Sequence, residues 1–251
     1  DQERVVFERI SALGSNVYQC FRLHGITGSG KTEVYIRVIA QALELGKTAI
    51  VLVPEISLTP QVLERFWECV GAPIALLHSH VSPGERWQEW RRLRSGEAKI
   101  AIGVRSAVFA PLEKLGVIVV DEEHDASYKQ NETPRYNARD VAIYRGRIQN
   151  SLLILGSATP SLESFYNMRT GKYKYLQLPY RIDHKPLPSV EIVDMRFRRS
   201  NTRDQVKKSR LTFSSRLLEA IGQRLALREQ VLIFLNRRGF STYIQCEECG
   251  F

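Results

Sequence analysis

Apolar positions along this chain fall into two alternating rhythms. Residues 21–23, 48–53, 73–77, 99–103, 117–120, 152–155 and 173–178 are short aliphatic or β-branched runs. Continuous runs of this kind are the signature of strands covered on both faces. Between them lie segments with an apolar residue every three or four positions, as a helix with one buried face requires. Over residues 31–45 these are Val34, Val38, Ile39, Ala42 and Leu43, and Gly46 stands where the helix would end. Residues 58–70, 83–94, 138–148 and 161–168 read as further helices, with Pro83 in a first turn. Val5, Val6, Ile10, Leu13 and Val17 predict a helix leading into the first strand.

Alternation from residue 21 to residue 178 predicts βαβ units and a mostly parallel sheet with helices on both faces. Residues 179–210 lose the period, contain Pro186 and Pro188, and hold one short strand at 190–193. Helical period returns at 213–227, followed by a buried strand, VLIFL, at 231–235. The expected organisation is a first domain over 1–180, a basic linker over 181–211, and an incomplete second α/β lobe over 212–251.

The charge changes this picture in one place. The net charge is +9, and the segment 196–210 carries seven basic residues against Asp204 alone, which accounts for +6 of it. Such a run either attracts a polyanion or only solubilises a linker. No apolar run approaches the roughly 20 residues of a membrane span. The first residues, Asp1-Gln2-Glu3-Arg4, do not resemble a signal peptide, so the expected location is cytoplasmic with no membrane partner. Cys20 and Cys69 sit in apolar surroundings and read as small buried hydrophobes. Trp87 and Trp90, three apart on a helix, are expected to pack on the core.

The candidate chemistry lies at strand ends. Gly25-Ile26-Thr27-Gly28-Ser29-Gly30-Lys31-Thr32 matches G-x-x-x-x-G-K-[ST], the phosphate-binding P-loop. Its glycines let backbone N–H groups turn inward around an anion, and the following helix aims its positive end at the same place. Lys31 is placed for the β- and γ-phosphates of ATP and Thr32 for Mg²⁺. Residues 117–120 deliver Asp121-Glu122-Glu123-His124. Asp121 is the second candidate Mg²⁺ ligand and Glu122 the candidate base for an attacking water, so Lys31, Asp121 and Glu122 form the catalytic set. Residues 125–140 hold Tyr128, Lys129, Arg135 and Tyr136 among few apolar residues, a mixture of rings and cations suited to single-stranded nucleic acid. An ordered surface loop with its tyrosines packed down reads equally from that composition. Cys246 and Cys249 have the spacing of half a zinc site, which needs two more ligands.

Asp-Glu-x-His after a buried strand, with Ser157-Ala158-Thr159 one helix and one strand later, resembles the superfamily-two helicases. GITGSGKTEVY, LVPEISLTPQ, HSHVSPGER, IGVRSAVFAP, LGVIVVDEEHDASYKQNETPRYNARD, ILGSATPSLES and FLNRRGF are similar to the PriA family of replication-restart helicases, also called primosomal protein N′. The likeness runs from Gly25 to Phe251. It implies a RecA-like P-loop fold, a DEEH box at residues 121–124, and a segment at Ser157, Ala158 and Thr159 that couples phosphate state to lobe movement. It further implies DNA contacts at Arg105, in the aromatic-rich 125–140 stretch, and at Arg237 and Arg238. The family commonly has Thr where this chain has Val104. In the intact protein the resemblance implies zinc at the cysteines, single-stranded and forked DNA as substrates, and primosome and single-strand-binding proteins as partners. The family's second-lobe arginines would lie past Phe251, so the chain is expected to bind ATP but to hydrolyse it poorly. A nucleotide-regulated DNA-binding or primosome-assembly module, in which hydrolysis is secondary, and a P-loop enzyme acting on small molecules are the competing functions.

Overall fold

The computed structural model describes residues 18–54, 60–78, 82–183, 188–194 and 213–234, together with Arg4 and Phe7. The chain divides into two compact units, 1–186 and 187–251. The first is built on β1 (Gln19–Gly25), α1 (Lys31–Glu44), β2 (Thr48–Leu52), α2 (Pro60–Val70), β3 (Ile74–Leu77), α3 (Pro83–Ser95), β4 (Ile100–Gly103) and β5 (Leu115–Val120). A hairpin of β6 (Lys129–Gln130) and β7 (Tyr136–Asn137) follows, then α4 (Ala138–Ile148), β8 (Leu152–Ser157), α5 (Leu162–Arg169) and β9 (Lys174–Leu178). Strand and helix therefore alternate as the apolar rhythm predicts.

Seven strands form one sheet in the order β3-β4-β2-β5-β8-β1-β9, every pair parallel. All six residues of β5 are buried. That is why these strands read as unbroken apolar runs: successive side chains enter two different cores. Val51, Val119 and Ile154 meet α1 and α2 on one face, through Val34, Tyr35, Ile39 and Phe66. Ile50, Leu52, Ile118, Val120 and Leu155 meet α3 and α4 on the other, through Leu93, Ala138 and Ala142. Side-chain caps set several helix starts. Ser82 and Glu85 form a reciprocal capping box on α3, and Asn137 and Ser161 cap α4 and α5. No helix among the described residues is long and apolar enough to cross a membrane.

Several expectations need correction. Residues 190–193 and 231–234 form no strand. Ile192 is 93% exposed and Leu232 97%, and an apolar run becomes a strand only when a ladder partner pairs with it. Trp90 packs against the core, but Trp87 is 61% exposed on the outer side of α3. Cys69 is exposed: α2 turns Leu63, Phe66 and Val70 inward, and Cys69 falls off that face. Cys20 is buried as expected. In the second unit, α6 (Ser215–Ala226) forms with Ser214 as its cap. The helix expected over the first residues falls mostly outside the described residues, as do the basic run, Leu235, Arg237, Arg238, Cys246 and Cys249.

Candidate functional site

The glycine loop leaves the carboxyl end of β1 and turns into α1 with Gly28 at φ 79° and Gly30 at φ 92°. Those are left-handed angles that side chains with a Cβ resist. Gly25 is needed for a different reason: a Cβ there would strike Ser29 Oγ and lie 3.1 Å from Lys31 Cγ. Gly30 caps α1 without a side-chain hydrogen bond, which leaves the first N–H groups of the helix free for an anion. Lys31 is buried; its Nζ donates to the Gly25 carbonyl at 2.9 Å and lies 3.6 Å from Glu122 Oε1. The half-buried Thr32 hydroxyl has no hydrogen-bond partner among the described residues. Arg181 Nε donates to the Thr27 carbonyl at 3.2 Å and the Ile182 amide to the Gly28 carbonyl at 3.0 Å, so the chain after β9 braces the loop from outside.

The acids arrive from β5, two strands away across β8. Asp121 Oδ1 accepts from the hydroxyl of Tyr35, on α1, at 2.8 Å. That bond passes over Gly156 at the end of β8, where any Cβ would collide with the Tyr35 hydroxyl. Burial raises the Asp121 carboxyl above its ordinary pKa, the Tyr35 bond opposes this, and the neighbouring Glu122 charge adds to it. Burial and the Asp121 charge push the Tyr35 phenol well up, so its proton stays on the donor. Glu122 has φ 44°, a left-handed backbone that a glutamate adopts only when its surroundings enforce it. That turn aims Glu122 at Lys31 on one side and places its Oε2 3.7 Å from His124 Nδ1 on the other.

Glu123 points the opposite way, into the protein. Its buried carboxylate accepts from the Ser161 amide at 2.9 Å, Ser161 Oγ at 3.0 Å, Ser164 Oγ at 2.9 Å and Arg139 Nη1 at 3.2 Å. Four donors make an internal anion tolerable. The network ties the acid box to the first turns of α4 and α5. His124 Nδ1 lies 2.8 Å from Ser157 Oγ and its Nε2 3.3 Å from Thr159 Oγ1, while the Ala158 carbonyl faces His24 Nε2 at 3.2 Å. Ser157, Ala158 and Thr159 are therefore held against the acid box and the root of the glycine loop at once.

Among the candidate DNA contacts, Tyr128 needs correction. Its ring is 1% exposed and offers no face to a base; its hydroxyl instead donates to the Asp121 carbonyl at 2.6 Å. Within residues 125–140 a 3-10 turn at Ala126–Tyr128 leads into the hairpin of β6 and β7, and α4 starts at Ala138. Arg105 Nη1 donates to the Lys129 and Ser127 carbonyls at 2.9 and 3.3 Å, and so supports that hairpin. Tyr136 is half-buried, with its ring edge-on to Phe109 at 5.1 Å. Lys129 and Arg135 are exposed at the surface.

Residue patterns had not singled out Tyr35, Ser161, Ser164, Arg181 or His24, and they placed Arg139 among the cations of the 125–140 stretch rather than against Glu123. One signal was present for Tyr35, which lies four positions after Lys31 and so on the same side of α1. The others act through distant carbonyls and carboxylates that no local spacing reveals. The donor set suits a magnesium-bound triphosphate: uncapped helix N–H groups, a buried amine, an unengaged hydroxyl and a carboxylate whose burial favours a cation beside it.

The DEAD/DEAH box helicase family model matches residues 3–168. The replication restart protein PriA of Bacillus subtilis is 46% identical over 252 residues, covering 100% of this chain and 31% of the relative. That of Synechocystis is 46% identical, covering 93% of this chain and 28% of its own length. That of Treponema pallidum is 43% identical, covering 100% and 36%. The chain thus spans about a third of the length of these curated relatives. Among solved structures, the Pyrococcus furiosus Hef helicase domain matches with TM-score 0.50 at 21% identity over 70% of this chain and 37% of that one. RecG bound to a three-way DNA junction matches with TM-score 0.50 at 21% identity over 71% of this chain and 23% of that one. At that identity the two structures speak for the fold alone, a RecA-like α/β sheet.

Proposed function

This chain belongs to the PriA replication restart family of the DEAD/DEAH box helicases, and we propose that it is the ATP-binding lobe, with the start of the second lobe, of a DNA helicase that restarts replication. The observation that carries this reading is the meeting of Lys31 with Glu122, 3.6 Å apart, beneath an uncapped helix start and beside a braced Asp121.

The chemistry is attack of water on the γ-phosphate. The loop amides and Lys31 hold the phosphates and neutralise charge as the leaving oxygen develops it. Thr32 and Asp121 would hold Mg²⁺, which would supply positive charge against the phosphates as the reaction proceeds. Glu122, fixed by its strained backbone, orients the water and takes its proton. With a phosphate bound, Lys31 leaves the Gly25 carbonyl for it, and Glu122 is released towards the water. Ser157 and Thr159, both bonded to His124 next to that base, pass its position to the rest of the protein.

DNA, both single-stranded and forked, is the substrate this reading assigns, with Arg105, Lys129, Arg135 and Tyr136 and, in the second lobe, Arg237 and Arg238 as its contacts. The Cys246 and Cys249 pair is read as half of a zinc site. Primosome and single-strand-binding proteins are the proposed partners, and the cytoplasm the proposed location. In the test, the chain is assayed for magnesium-dependent ATP binding. A protein extended through the complete second lobe is then assayed for ATPase with and without single-stranded DNA. Glu122→Gln is expected to keep ATP binding and to lose about 10²–10⁴-fold in hydrolysis. Failure of the chain to retain ATP when magnesium is present overturns the reading. Restart activity that survives Glu122→Gln favours a nucleotide-regulated assembly role.

A further inference from the structure

The parallel ladder between β1 and β8 ends at the pair His24 and Ser157. One residue on, the two backbones part: β1 turns into the glycine loop and β8 into Ala158 and Thr159. Past that point only side chains connect them. His24 makes the connection, with its Nε2 3.2 Å from the Ala158 carbonyl and its Nδ1 2.9 Å from the Tyr175 hydroxyl on β9.

The partners fix the tautomer. A carbonyl only accepts, so Nε2 carries the proton; Nδ1 then accepts from the phenol. Both nitrogens are satisfied by the neutral ring. Burial, the Arg22 charge and the Lys31 charge disfavour the imidazolium, while the Ala158 carbonyl favours it, and the net direction is a lowered pKa. The Tyr175 end is itself held. Arg22, two residues earlier on the same side of β1, is buried with Cζ 5.6 Å from the Tyr175 ring centroid, and its Nη1 donates to Met168 Sδ at 3.7 Å. A charged side chain buried under a tyrosine does little for core packing, but it does hold that ring under the histidine.

We propose that His24 is a positioning residue that ties the Ala158 carbonyl to the root of the phosphate loop. Displacement of the loop by nucleotide is then passed directly to the Ser157–Thr159 segment. This rests on the ATPase reading above. His124 grips the two outer residues of that segment from the acid box, and His24 grips the middle one from the loop. The segment is therefore sensitive to both halves of the nucleotide site.

The test uses the full-length protein and three variants. His24→Leu removes both bonds. His24→Gln restores them, since its amide nitrogen can donate to Ala158 and its oxygen can accept from Tyr175. Tyr175→Phe removes only the bond that orients the ring. ATPase is measured against ATP concentration, with and without single-stranded DNA. His24→Leu is expected to lower the DNA-stimulated kcat by about tenfold, with KM for ATP within about twofold, as loss of one partly buried hydrogen bond implies. His24→Gln is expected within about threefold of the unmodified protein, and Tyr175→Phe between the two. An unchanged kcat for His24→Leu, or His24→Gln no better than His24→Leu, overturns the proposal. So does a raised KM with kcat intact, which would make His24 part of nucleotide binding. If Lys31→Ala leaves hydrolysis undiminished, the ATPase reading falls and takes this proposal with it. Normal dependence on Lys31 with an inert His24 sinks the proposal alone.

Discussion

Gly156 is the position where a single methyl group should do most damage. A Cβ there would collide with the Tyr35 hydroxyl, lie 2.9 Å from Tyr35 Cζ and 3.2 Å from Asp121 Oδ1. Tyr35 is fully buried and cannot swing aside, so Gly156→Ala must displace the ring. Forcing extra volume into a packed core costs about 1–3 kcal/mol. Breaking the 2.8 Å bond from Tyr35 to the Asp121 carboxylate adds about 1.5–3 kcal/mol. The expected loss is about 3–5 kcal/mol in all, read by urea denaturation followed through tryptophan fluorescence. A second mutation isolates the cause. In Tyr35→Phe the hydroxyl and its bond are already gone, and only the contact with the ring remains. Adding Gly156→Ala there should cost about 1 kcal/mol, a coupling of about 2 kcal/mol or more between the two positions. If the two losses simply add to within about 0.5 kcal/mol, Gly156 is not there to let the hydroxyl pass, and this account of the Asp121 brace is wrong.

Three further outcomes follow from the same geometry. Asp121→Asn should raise the melting temperature of the ligand-free chain, because burial disfavours the carboxylate while an amide oxygen still accepts from Tyr35. The same change should abolish the thermal shift given by magnesium and ATP and lower hydrolysis by about 10²-fold or more. Glu123→Ala strands Arg139 and the donors of Ser161 and Ser164, and should cost about 3–5 kcal/mol in denaturation, with Glu123→Gln losing less. The lowered His24 pKa implies a pH dependence. The unfolded chain binds a proton at about pH 6.5 that the folded one refuses, so the stability His24 contributes is complete above that pH and is lost as pH falls through it. His24→Gln should flatten this acid limb between about pH 7.5 and 5.5, and an unchanged limb counts against the assignment.

Much of the fold was legible because the sheet is parallel and doubly covered. Such strands must be apolar on both faces, so a run like residues 117–120 declares itself without any partner. The glycine loop was legible for a similar reason, since its residues are constrained by their own backbone. What failed were readings that depend on a distant partner. Residues 190–193 and 231–234 have the composition of strands and no ladder partner among the described residues. Tyr128 and Tyr136 lie in one stretch of rings and cations, yet one is buried under Asp121 and the other is half-exposed, because Tyr128 ends a 3-10 turn beneath the acid box while Tyr136 stands on the hairpin. Glu123 follows the candidate base in a run of acids, and nothing in the spacing marked it as an internal anion. Only the left-handed turn at Glu122 sends one carboxylate out to the lysine and the next one inward to Arg139.

The strand order explains why the centre of the site is built from small residues. β8 lies between the strand that carries the phosphate loop and the strand that carries the acids. At the usual spacing of about 4.8 Å between strands, loop and acids stand roughly 10 Å apart, room for a triphosphate chain and its metal. Every link between the two halves must then cross the end of β8. Tyr35 reaches Asp121 over Gly156, the Glu123 amide donates to the Gly156 carbonyl at 3.0 Å, His124 meets Ser157, and His24 meets Ala158. A large side chain at any of these places would fill the gap that the nucleotide needs or block a bond that holds its walls. Gly156-Ser157-Ala158 is small because two neighbouring strands bond across it.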